Sequence, residues 1–154
     1  MELIVRPYQP VDFSAVAGIY ARAKLDEFRY ETAHFILVPL NEDAERLAAF
    51  ALCDVIVCEC DGMVAGFAAS SDDTLRALFV APEARGQGIG SRLLHSVLAR
   101  LPSDVRLSVA TSNAPACELY RRAGFIATGT YGNSYNGTAV DYTTMLLARP
   151  GRQS

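Results

Sequence analysis

The chain has 154 residues, 51% of them apolar and 20% charged, with a mean hydropathy of +0.15, which predicts a folded single domain over 1–154 and excludes a disordered chain. A formal charge of −3 and a pI near 5.3 lack the basic footprint of a nucleic-acid binder. Met1–Pro7 carries Glu2 and Arg6 where a signal peptide would be apolar, and runs such as Phe35–Val38 are too short to span a bilayer, so a cytoplasmic protein with no membrane partner is expected.

Leu3–Val5 predicts a short strand, closed by Pro7. Asp12 then offers an N-cap to a helix with Phe13, Val16, Ala17 and Tyr20 on one face. Asn41 offers another, ahead of Leu47, Phe50 and Ala51 at helical spacing; the segment 24–40 between them is irregular and mixes charge with aromatics. From Asp54 the period changes. Val55–Cys60 and Met63–Ala69 predict a hairpin about Asp61-Gly62, and Asp72-Asp73 turns the chain into a third strand, Leu75–Val80. A glycine-rich stretch opens a helix with Ile89, Leu93, Leu94, Val97, Leu98 and Leu101 on its apolar side, stopped by Pro102. Val105–Ala110 alternates as a strand. A helix over 114–123 follows, with Pro115 in its first turn, where a missing N–H costs least, and Gly124 as a left-handed cap against which Phe125 folds back. Two strands, Phe125–Tyr131 and Ala139–Leu147, close the chain around a polar loop in which Asn136-Gly137 favours a turn. The order is β-α-α-β-β-β-α-β-α-β-β, a mixed α/β sheet without repeats or linkers.

Cys58 and Cys60 share one face of a strand, with no second close pair or histidine, so Cys53, Cys58, Cys60 and Cys117 read as small buried hydrophobes, neither a metal site nor disulfides. His34 in a loop and His95 on a helix flank stand apart from other chemistry.

The strongest chemical signal runs from Leu78 to Gly90. A strand enters a turn in which Gly86, Gly88 and Gly90 alternate at the start of an amphipathic helix. Glycines let backbone N–H groups approach an anion without interference from Cβ, the helix N-terminus adds a positive dipole end, and Arg85 adds charge. The unit therefore suits a phosphate or pyrophosphate. Ser91 stands where a dinucleotide-binding fingerprint wants glycine or alanine, and Ser91-Arg92 does not supply the lysine of a Walker A loop.

Arg85-Gly86-Gln87-Gly88-Ile89-Gly90, after Val80-Ala81-Pro82, resembles the central motif of the GCN5-related N-acetyltransferase (GNAT) family. The family's second signature is matched by Asn113, Ala116, Tyr120, Gly124 and Phe125. The resemblance implies a mostly antiparallel twisted sheet flanked by helices, and acetyl-CoA as co-substrate without a metal. It implies that the backbone of Leu78, Phe79 and Val80 holds the pantetheine arm, with one amide turned to the thioester carbonyl. By the same resemblance Arg85, Gly86, Gln87, Gly88, Ile89 and Gly90 hold the pyrophosphate. Asn113 is a coenzyme contact, a helix N-cap, or both, and Tyr120 protonates the departing thiolate.

The base is not legible. Ser108 replaces the glutamate that N-terminal protein acetyltransferases of the family carry before the asparagine, and Leu75–Val80 holds no acid. Glu27, Glu31, Glu59, Asp72, Asp73 and Asp141 stay as candidates. The acceptor, a small-molecule or peptide amine, is expected between 24–40 and 131–136, with Tyr30, Phe35, Tyr131 and Tyr135 as lining and Asp26, Glu27 or Glu31 drawing a cationic amine. A non-catalytic acyl-CoA sensor and an N-terminal protein acetyltransferase are the alternatives, and a homodimer stays open.

Overall fold

The computed structural model describes residues 1–149. One seven-stranded sheet is built from β1 (Leu3–Pro7), β2 (Asp54–Cys60), β3 (Met63–Ser71), β4 (Thr74–Val80), β5 (Val105–Ala110), β6 (Ile126–Tyr135) and β7 (Thr138–Leu147), in the spatial order β1-β2-β3-β4-β5-β7-β6. The helices are α1 (Phe13–Ala23), α2 (Ala44–Ala51), α3 (Ile89–Arg100) and α4 (Ala114–Arg122). This is the expected element order. Among the described residues no helix is long and apolar enough to cross a membrane.

Side-chain alternation in β3 explains the layers. Phe67 meets Phe50 of α2 and Phe79, whose ring in turn lies 5.7 Å from that of Tyr20 on α1. The neighbouring Gly66 points to the opposite face, where a Cβ would meet Ile89 of α3 at 2.9 Å. Glycine there lets α3 seat against the sheet. Because helices cover both faces, Ala65–Ser70 is buried throughout, a continuous run of small and apolar residues. Asp61 and Gly62 both take positive φ (51° and 87°), as a two-residue hairpin turn needs.

The feature that positions the site is the junction of β4 and β5. They are parallel neighbours registered only at Thr74 and Arg106, while the other adjacent strand pairs described are antiparallel. Asp73 pins the apex: its carbonyl accepts from the Arg106 amide at 2.9 Å and its carboxylate from Arg106 Nε at 3.2 Å and Thr74 Oγ1 at 2.9 Å. Between Ala77 and Leu75 the register with β3 slips by one residue, a bulge at Arg76 that bends β4. Beyond the apex the strands diverge, which leaves facing backbone edges with unspent N–H and C=O groups.

Three expectations are corrected. Asp12 makes no side-chain cap to α1. Its buried carboxylate takes a two-pronged bond from Arg6 at 2.8 and 2.9 Å and the Gln9 amide at 2.8 Å, because Arg6 comes within reach from β1. Asn41 lies in a short 3-10 turn, and Asp43, two residues on, caps α2 through the Arg46 amide. Segment 24–40 is irregular as expected, apart from a 3-10 turn at Lys24–Phe28. The loop expected at 132–135 is strand: Gly132–Tyr135 pairs with Thr138–Asp141, and Asn136-Gly137 alone makes the turn.

Arg6 also donates to Glu59 at 2.6 Å, so it serves two carboxylates. Hydrogen bonding to Arg6 holds the Asp12 carboxyl below its ordinary range. A carboxyl whose folded pKa is depressed stabilises the fold above the unfolded pKa, and that contribution is lost as pH falls through the folded value. Arg6→Ala should therefore cost about 2 kcal/mol at neutral pH, as Asp12 is left buried without its cation. Urea denaturation at pH 7 and at low pH checks this; the gap between wild type and variant should narrow in acid.

Candidate active site

Between the diverging strands runs a cavity of about 700 Å³. One wall is the β4 edge, Leu78, Phe79 and Val80; the other is Val109 and Ala110 of β5. The lining also takes in Arg85, Gly86 and Gly90, Asn113, Leu119 and Tyr120 of the α4 segment, and Tyr20, Lys24, Glu27, Arg46 and Tyr142.

The glycine loop leaves its backbone uncovered at the start of α3. Gly86 and Gly88 take φ of +80° and +83°, and a Cβ at either position would project into open space. The first i→i−4 bond of α3 runs from the Arg92 N–H to the carbonyl of its N-cap, Gly88, at 3.0 Å. The amides of Ile89, Gly90 and Ser91 before it have no i−4 partner within the helix and are donors for a ligand. These groups fit a pyrophosphate. Gln87 and Ile89 direct their side chains away: the Cys60 thiol donates to Gln87 Oε1 at 3.5 Å, and Ile89 is buried under the sheet. Arg85 is ion-paired with Asp26 at 2.6 Å.

Asn113 accepts a 3.5 Å bond from the Ala116 amide, so it caps α4 while it lines the cavity. Tyr120 is buried on the same helix, edge-on to Phe125 with centroids 5.8 Å apart. Burial, and then the charge of Glu27, push its phenol well above the ordinary tyrosine range. Tyr142 is pushed to about 12 by burial and by Glu27. Both phenols therefore stay protonated across the physiological range.

The sequence model of the Acetyltransferase (GNAT) family matches residues 6–125, most of the chain. The chain belongs to the GNAT family. In an alignment 91 residues long that covers 53% of this chain, it is 39% identical to the streptothricin acetyltransferase of Streptomyces lavendulae, and it spans 48% of that relative's length. Two solved structures share the fold: an N-acetyltransferase from Staphylococcus aureus Mu50 (24% identity, TM-score 0.75, covering 96% of this chain and 99% of that one) and yncA from Salmonella typhimurium, solved with its cofactor acetyl-CoA (21%, 0.74, 100% and 98%).

In this GNAT chain the candidate acids separate clearly. Glu59 is bound to Arg6, Asp73 pins the β4–β5 apex, Asp72 sits in the β3–β4 turn with φ of 54°, and Asp141 lies exposed on β7. Glu27 alone of the six lines the cavity. The nearby Asp26, though also in the cavity, is taken up by Arg85. Glu27 was one of six in the sequence because nothing local marks it; the 3-10 turn after α1 carries it inward.

The aromatic lining differs from expectation. Tyr30 and Tyr131 are exposed, stacked on Arg29 and Tyr142 respectively, and Phe28, Phe35 and Tyr135 form a second core cluster with Ala110 and Val140. Tyr20 and Tyr142 line the cavity instead, and Tyr20 shares a 2.9 Å hydroxyl bond with Tyr135. The four cysteines are free thiols; Cys58 and Cys117 are buried as expected, Cys53 and Cys60 half-buried.

Proposed function

We propose that this chain, as one GNAT domain, moves acetyl from acetyl-CoA to a primary amine of a small molecule or peptide by direct attack in a ternary complex. The observation that carries the reading is a single cavity joining the glycine cradle, the unpaired β4 edge, Tyr120 and Glu27. The amides of Arg85–Gly90 would take the pyrophosphate. The backbone of Leu78, Phe79 and Val80 would pair with the pantetheine amides as an added strand does, and one N–H would face the thioester oxygen, where negative charge develops during attack.

An ammonium has no lone pair, so the acceptor must lose a proton before it attacks. Glu27 lines the cavity, where Lys24 pairs with its carboxylate at 3.1 Å, and we assign it that proton. Tyr120, kept neutral by burial and by the charge of Glu27, gives its proton to the leaving thiolate. Similarity to a streptothricin acetyltransferase supports a small amine acceptor.

Acetyl-CoA consumption across a panel of small amines and peptides tests the reading; no turnover with any of them by a folded, coenzyme-binding chain would leave the sensor alternative. Glu27→Gln should lower kcat/KM by about 10²-fold. The loss should be the same with two acceptors of different amine structure, and wild-type kcat/KM in folded Glu27→Gln would remove Glu27 from the proton path.

A further inference from the structure

Lys24 is the sole lysine of the chain, and it lies in the cavity. Its side chain is 15% exposed, and Nζ sits 3.1 and 3.2 Å from the two Glu27 oxygens. Three aromatic rings surround it: Tyr135 at 5.0 Å, Phe79 at 5.6 Å and Phe28 at 5.7 Å to the centroids. A primary amine is thus held by cation–π attraction and by the carboxylate assigned above to amine deprotonation. It packs on the ring of Phe79, whose backbone belongs to the edge assigned to the thioester.

We propose that Lys24 is itself an acetyl acceptor, so that acetyl-CoA bound without an external amine acetylates the chain's own Nζ. This rests on the acetyl-transfer reading above. The ammonium gives one proton to Glu27, which passes it to solvent. The freed lone pair forms a C–N bond to the acetyl carbonyl carbon, the C–S bond breaks, and the coenzyme thiolate takes a proton from Tyr120. The second proton lost by the nitrogen restores Tyr120. The products are Nε-acetyl-Lys24 and coenzyme A.

The modification is self-limiting by its own physics. An acetamide carries no charge, so the Glu27 ion pair and the attraction to three rings are lost together. The acetyl group then fills the amine end of the cavity, where an external acceptor would stand. An acceptor that occupies the cavity first should protect Lys24.

The test is intact-mass and peptide-mapping analysis of the full chain incubated with acetyl-CoA and no acceptor. The expected result is one acetyl group on Lys24, absent from Lys24→Arg, suppressed by a good acceptor, and absent from a folded Gly88→Glu chain. Tyr120→Phe should slow the modification by the same factor as transfer to an external amine. The proposal is overturned, and acetyl transfer stands, if Lys24 stays unmodified in wild-type protein that acetylates an added amine. Equal labelling of Lys24 in the Gly88→Glu chain also overturns it, since that is uncatalysed acetylation. A wild-type chain that neither binds acetyl-CoA nor acetylates any amine refutes the function and this inference together.

Discussion

Gly88→Glu is expected to abolish coenzyme A binding while the chain stays folded. Gly88 is the N-cap of α3, with φ of +83°, so any L side chain there is strained by roughly 1–2 kcal/mol. That is a small part of the stability of a typical domain. Beyond the adjoining backbone and chain neighbours, nothing lies within 4 Å of a Cβ built at this position, so the added side chain projects into open space without displacing the core. Its carboxylate would lie at the positive end of α3, beside amides that have no i−4 partner. The substitution thus supplies its own anion to the place where the pyrophosphate is assigned and repels a second one. Calorimetric titration with coenzyme A should show at least about a 100-fold loss, or about 2.7 kcal/mol. Unchanged affinity in a folded variant would move the coenzyme site elsewhere.

The glycine turn was legible because local geometry alone demands it: alternate glycines lead into an amphipathic helix, and two of them do adopt left-handed φ. Asp61-Gly62 and Asn136-Gly137 were legible for the same reason. Most of what failed was decided by partners distant in sequence or in a neighbouring element. Asp12 has the chemistry of a helix cap, but Arg6, anchored on β1 and shared with Glu59 fifty-three residues on, claims it. Asn41 and Asp43 are equally good caps in isolation; Asp43 prevails with its carboxylate on the Arg46 amide and guanidinium. Gly132–Tyr135 has loop composition, yet the ladder with β7 continues through it because only Asn136 and Gly137 take positive φ. Among the acids, selection depends on the divergence of β4 and β5, which neither strand records in its own residues. Asp73 holds that divergence at its apex and Glu27 faces the space it opens, although both were merely acids near turns.

Tyr120→Phe should lower kcat by about ten- to a thousandfold, the usual span for removal of a general acid. The phenylalanine ring preserves the packing against Phe125, so only the hydroxyl is lost. The loss should appear in kcat rather than in coenzyme affinity, which should stay within a few-fold because the loop amides supply the binding. Burial and Glu27 raise the Tyr120 phenol, so it retains its proton throughout the working range and no basic limb below pH 9 should be its own. Removal of a buried hydroxyl can also cost about 1 kcal/mol of stability, so denaturation curves must accompany the kinetics. A thiolate is a far better leaving group than an alkoxide, and an acceptor whose attack is slow could hide the proton transfer. The measurement therefore belongs on the fastest acceptor, with a single-turnover experiment to establish that chemistry limits the rate. Wild-type kcat in folded Tyr120→Phe under those conditions would show that the thiolate leaves without help from this residue, and Tyr120 would then be a packing aromatic of α4.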